Sequence, residues 1–222
     1  MGASLTVRLG LGLSLALAAT AAIAGNSPWT SSDYVDLYFR HYNGHVPLPH
    51  LREAGQKALF KHLIDPANIS RIEEAPVSAD EKLRQLRIIL AVLGAYRAAY
   101  NLAVIVGEPL EQELTLVQVH SLEVADAVAG LMQESPTDAG SPTAWATLVE
   151  GVIESAGDGA RYSPAQSALM ANAVALHYPA ISAVLPEDER QRLRRQVQNL
   201  TNANSNAALQ EALAQMKRAV LK

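Results

Sequence analysis

Residues 78–133 read SADEKLRQLRIILAVLGAYRAAYNLAVIVGEPLEQELTLVQVHSLEVADAVAGLMQ, and this stretch decides the fold. Ser78 is followed three residues later by Glu81. That is the spacing of a capping box, in which each side chain satisfies a backbone N–H left free by the first helical turn. From Ala79 to Val106 only Gly94 interrupts the helix formers. Gly107 then ends the run, and Pro109 suits the first turn of a second helix reaching about Gln133. Leu110, Leu114, Val117, Val124, Val128 and Leu131 recur at helical spacing along that second segment and form one apolar stripe. The stretch therefore predicts a long antiparallel helical hairpin with a very short turn.

The same periodicity extends on both sides, and no segment alternates as a half-buried strand would. Ser32-Asp33 caps a helix through Tyr42, and a shorter one runs from about His50 to Ile64. Residues 67–77 carry Asn68, Ser70 and Pro76 and read as a loop with room for one helical turn. Beyond the hairpin, residues 134–142 form a turn-rich connection and a candidate sub-boundary. Helices are then expected at about 143–155, from Ser163-Pro164 to Tyr178, at 187–200 and at 207–221, with Pro179 breaking off a short segment 180–185. The reading is an all-α helical bundle of about six to eight helices, built around the hairpin, in one domain spanning 25–222.

Composition narrows the function classes. Apolar residues make up 49% of the 222 and charged residues 18%, the balance of a chain that folds around a core. Eighteen Lys and Arg against twenty-two Asp and Glu leave a formal charge of −4, which gives no broad affinity for nucleic acid. Cysteine is absent, and with it disulfides, thiolate metal sites and cysteine nucleophiles.

The first 24 residues read as a secretory signal. Arg8 is their only charge, Leu9–Ala24 is rich in Leu and Ala, and Ala22-Ile23-Ala24 places small residues where signal peptidase requires them. Those sixteen residues are also short of the about 20 that span a bilayer as a helix. Cleavage is expected between Ala24 and Gly25, giving an exported, periplasmic or secreted, chain. No transmembrane span is expected in that mature chain, because Arg97 and Asn101 interrupt the apolar segment 86–106.

Arg97 is the most informative charge. A guanidinium on so apolar a helix needs a carboxylate or water, and the hairpin register brings Glu113 and Glu123 of the returning segment within reach. An intramolecular ion pair is the structural expectation; an anchor for a ligand's anionic group is the functional one. Glu113, His120 and Glu123 share a helix face, read here as a solvated rim, because a bundle metal site needs Glu-x-x-His from two helices. His41, His45 and His50 are weak metal candidates in a connecting loop. No cofactor is implied.

Five of the eleven aromatics fall in Trp29, Tyr34, Tyr38, Phe39 and Tyr42. Tyr34, Tyr38 and Tyr42 share one helix face, either a core stripe or a partner-binding surface, since Tyr and Trp dominate binding hot spots. Arg190, Arg192, Arg194 and Arg195 form a basic stretch balanced by Glu187, Asp188 and Glu189. The familiar motifs of nucleophilic, zinc-dependent and phosphate-binding enzymes are missing from the sequence. The leading expectation is a non-enzymatic interaction protein, such as an inhibitor, immunity factor or adaptor, whose partner is another protein. The alternatives are a binding protein for a small apolar or amphipathic ligand, and a metal-dependent hydrolase using the histidine-rich loop.

Overall fold

The computed structural model describes residues 27–134, 142–201 and 203–222. The expected signal at 1–24, its cleavage point and nearly all of the 134–142 connection lie outside these residues. Among the described residues nine helices follow one another: α1 (Ser31–Tyr42), α2 (Ala54–Leu63), α3 (Ala67–Glu74), α4 (Ala79–Ile105), α5 (Glu111–Glu134), α6 (Pro142–Gly157), α7 (Pro164–Val184), α8 (Glu187–Asn199) and α9 (Ala207–Leu221). No strand occurs among the described residues, and the all-α bundle read from periodicity is the fold.

The α4–α5 hairpin forms as the sequence requires. Gly107 has φ +93°, a backbone that a side chain would strain. Its N–H donates to the Val104 carbonyl at 3.1 Å and the Glu108 N–H to that of Ala103 at 2.9 Å, closing the end of α4. At the other end only half of the capping box is made. Ser78 Oγ accepts the Glu81 N–H at 3.2 Å, but the Glu81 carboxylate turns to Arg84 and Gln85 at 2.6–2.8 Å. Those bonds, Arg84 first, hold the Glu81 carboxyl down to about 2.

Around the hairpin, α7 packs against α5, α6 and α9, while α1 and α3 cover α4. Leu86, Ile89 and Leu93 of α4 and Val117, Val124 and Val128 of α5 are fully buried. Each such side chain contributes about 1.5–3 kcal/mol through burial. Where α6 ends, Leu200 crosses so closely that a Cβ at Gly157 would collide with it. α4 and α6 hardly touch each other; both rest on α5, and a trough remains between them. Helices α4, α5 and α7 are long and apolar enough, by length and composition, to cross a membrane.

Four local expectations are corrected. Residues 67–74 are a helix, because Asn68 is a buried tie rather than a breaker. Its Oδ1 accepts the Trp29 N–H at 2.5 Å, and its Nδ2 donates to Tyr34 Oη at 2.9 Å and the His62 carbonyl at 2.7 Å. α7 continues through Pro179, whose ring faces solvent while Val174, Tyr178 and Ile181 are buried around it. Packing there outweighs the one backbone bond a proline removes. α1 is capped by Thr30 rather than Ser32-Asp33, with Asp33 returning the bond to the Thr30 N–H at 2.7 Å. α2 starts at Ala54 rather than His50, because the preceding segment is drawn onto the hairpin: Tyr100 Oη donates to the Pro49 carbonyl and Glu113 accepts the Leu51 N–H.

Candidate functional site

The trough between α4 and α6 is the candidate site. Arg87, Leu90, Gly94, Arg97 and Asn101 recur three and four apart on α4 and so share one wall. Two cavities open along that wall and share Gly94 and Arg97. The first, about 300 Å³, is an apolar slot lined by Leu90, Ala91, Ala144, Trp145 and Leu148, with Arg87 at its far end. The second, about 470 Å³, is a polar basin lined by Asn101, Gln118, Ser155, Arg161 and Tyr162 among others. Both volumes are within the range of small-molecule sites.

Arg97 stands at the junction with no ion pair to a carboxylate among the described residues. Its Nε is buried without a hydrogen-bond partner, and burial lowers its pKa from the ordinary guanidinium value. The expected pairing with Glu113 or Glu123 is therefore not made. Glu113 is buried and accepts the Leu51 N–H at 2.8 Å, while Glu123 binds His120 Nδ1 at 2.7 Å. Each carboxylate is held by a nearer donor on the far side of the hairpin from the trough.

Two more buried polar atoms of the basin lack partners: Gln118 Oε1 and Tyr162 Oη. The orientation of the Gln118 amide follows from its neighbour. Ser155 donates its single proton to the Gly151 carbonyl at 2.9 Å, so it can only accept from Gln118 Nε2 at 3.0 Å, which leaves Oε1 unbonded. A buried polar group without a partner costs about 1–3 kcal/mol, and three residues that line this one basin each carry such an atom among the described residues. The two acidic residues that also line the basin accept hydrogen bonds from uncharged donors. Glu154 accepts from Gln196 at 2.9 Å, and Asp158 Oδ1 accepts the Ala160 and Arg161 N–H groups at 3.2 and 3.1 Å. Arg161 in turn donates to Asn101 at 3.0 Å. The trough thus sets Arg97, a cation without an ion pair among the described residues, beside an apolar slot, an arrangement that can receive the anionic end of an amphipathic molecule.

The remaining sequence candidates are dispersed. Glu113 and His120 are buried rather than a solvated rim, with His120 Nε2 3.4 Å from Tyr34 Oη. His41 Nδ1 lies 3.2 Å from the Val46 carbonyl, and His50 Nδ1 accepts the Arg52 N–H at 3.2 Å. These histidines do not converge with His45, and no metal-holding group of His, Asp and Glu exists among the described residues. The aromatic row divides. Trp29 and Tyr34 are core, Trp29 stacking on His62 at 5.5 Å, which removes both from any partner surface. Tyr38 packs edge-on against Tyr96 at 5.8 Å; Phe39 and Tyr42 are 55% and 74% exposed. Arg190 and Arg194 pair with Glu187 at 2.7 and 2.9 Å, and Arg192 with Glu189 at 3.1 Å.

Sequence reasoning reached Arg97 but missed Gln118, Trp145 and Tyr162. The nearest signal in the sequence was the pair of small residues Gly94 and Ala98 close to Arg97 on the same helix, and both line the trough. No family model, curated protein or solved structure matches this chain.

Proposed function

We propose that this chain is an exported helical binding protein for a small amphipathic ligand, which lies in the α4–α6 trough. The observation that carries the reading is Arg97, a half-buried cation without a carboxylate partner among the described residues, set between an apolar slot and a polar basin. Export rests on the sequence pattern of residues 1–24. The test uses 8-anilinonaphthalene-1-sulfonate, an apolar ring system with one anionic group. The full chain should bind it saturably at one site, with a rise in its fluorescence. Gly94→Leu should abolish that binding without lowering the melting temperature, because a Cβ at Gly94 meets nothing nearer than Arg97 Nη2 at 3.9 Å. Absence of saturable binding, or binding indifferent to Gly94→Leu, would overturn the reading.

A second reading, an inhibitor, immunity factor or adaptor acting on another protein, retains Phe39 and Tyr42. They are the two members of the aromatic row that remain largely exposed, close together at the end of α1.

A further inference from the structure

The trough is polarised along its length. On the Arg87 side of Arg97 the walls are Leu90, Ala91, Trp145 and Leu148; on the other side they are Gln118, Ser155, Tyr162 and Asn101. A ligand entering this site has one favourable direction. An apolar chain in the basin would desolvate Glu154, Asp158 and Arg161, which also line it, and a polar group in the slot would lose its own hydrogen bonds to water.

The slot also has a length. Leu90 and Arg87 lie seven and ten residues before Arg97, about 10 and 15 Å along a helix axis. Carbon–carbon bonds of about 1.5 Å folded into an extended zigzag cover that distance with about nine to twelve carbons. A volume of about 300 Å³ sits at the lower limit for ligand sites and admits one such chain rather than two.

We infer that the ligand is a single-chain amphiphile of medium length, its anionic group held by Arg97 and its alkyl chain laid over Trp145 towards Arg87. The inference rests on the binding reading above and names the ligand class for the same site. A carboxylate at the junction supplies a counter-ion that Arg97 lacks among the described residues, and accepts from its guanidinium.

The experiment titrates the full chain with linear alkyl carboxylates from hexanoate to hexadecanoate and, at one length, with decan-1-ol. Affinity should rise about fourfold per added methylene and stop rising once the chain reaches about nine to twelve carbons. Decanoate should bind at least about tenfold more tightly than decanol, the margin of a charge-assisted contact. Arg97→Met should bring the two within about twofold of each other. 11-Bromoundecanoate should quench tryptophan fluorescence in the full chain and not in Trp145→Phe, placing the chain end in the slot. An unbroken rise through hexadecanoate, equal binding of acid and alcohol, or quenching that survives Trp145→Phe would overturn the inference. If the anilinonaphthalene probe saturates the trough but no alkyl carboxylate displaces it, the ligand class is wrong and the binding reading stands. If neither binds, the binding reading itself fails.

Discussion

Glu113 Oε1 accepts the backbone N–H of Leu51 at 2.8 Å, across 62 residues of chain, and that bond takes the carboxylate that hairpin register offered to Arg97. The two residues should therefore respond oppositely to substitution. Glu113→Ala leaves the Leu51 N–H without its acceptor and opens a gap at a position 3% exposed. It should lower unfolding stability by about 1–3 kcal/mol. Arg97→Met removes a half-buried charge with no ion pair among the described residues and keeps most of the volume, so stability should hold or rise. Urea denaturation of both variants checks this. Equal losses would mean that the two side chains form an ion pair in solution.

Tyr34 and Tyr42 share a face of α1 but not an environment. Tyr34 Oη donates to the Leu63 carbonyl at 2.8 Å and accepts from Asn68 at 2.9 Å, and burial raises its pKa well above that of a free phenol. Tyr34→Phe should cost about 1–3 kcal/mol through these lost bonds, and Tyr34→Ala about 3–5 kcal/mol through the added cavity. Phe39→Ala and Tyr42→Ala should stay within about 0.5 kcal/mol of the parent chain, as exposed substitutions do. Thermal melts of the four variants separate the core half of the aromatic row from its surface half. If Tyr42→Ala proves as damaging as Tyr34→Ala, that division is wrong.

Glu73 gives stability a pH dependence that can be isolated. Partial burial, with the Asp126 carboxylate second, raises its pKa above the ordinary value of 4.5. A carboxyl raised on folding favours the folded state when protonated, and that contribution is lost as pH rises through the folded value. Lys82 opposes the shift without cancelling it. Glu73→Gln should therefore raise the melting temperature at pH 7, and the gain should disappear below about pH 4, where the parent side chain is already neutral. Melts of both chains across this range provide the check; a gain that grows on acidification would reverse the sign and the argument.

Legibility followed locality. The hairpin could be read because Gly107, the Ser78 cap and the apolar stripe of α5 are local signals, and each kept its role. Asn68 and Pro179 misled because their propensities point to loops, whereas buried neighbours hold both within helices. Arg97 was conspicuous as a cation on an apolar run. Its companions were not. Gln118, Trp145 and Tyr162 join it only because α4 and α6 both rest on α5 and leave a space between them. That arrangement joins segments far apart in the chain, and no local pattern encodes it.

Export makes its own demand on the chain. If Ala22-Ile23-Ala24 directs cleavage, exported protein should begin at Gly25, and its intact mass should lack residues 1–24. The described core is compatible with that cut. Its first member is Trp29, which is 2% exposed, stacked on His62 and tied through its N–H to Asn68. The chain from Gly25 retains Trp29, the Thr30 cap and every helix from α1 to α9. Its melting temperature should match that of the full chain to within the few degrees that about 1 kcal/mol represents for this size. Removing Arg8 takes the formal charge from −4 to −5, too small a step to change folding or solubility. An exported protein that keeps Met1 would refute the cleavage. A large fall in melting temperature for the chain from Gly25 would show instead that residues 1–24 belong to the folded molecule.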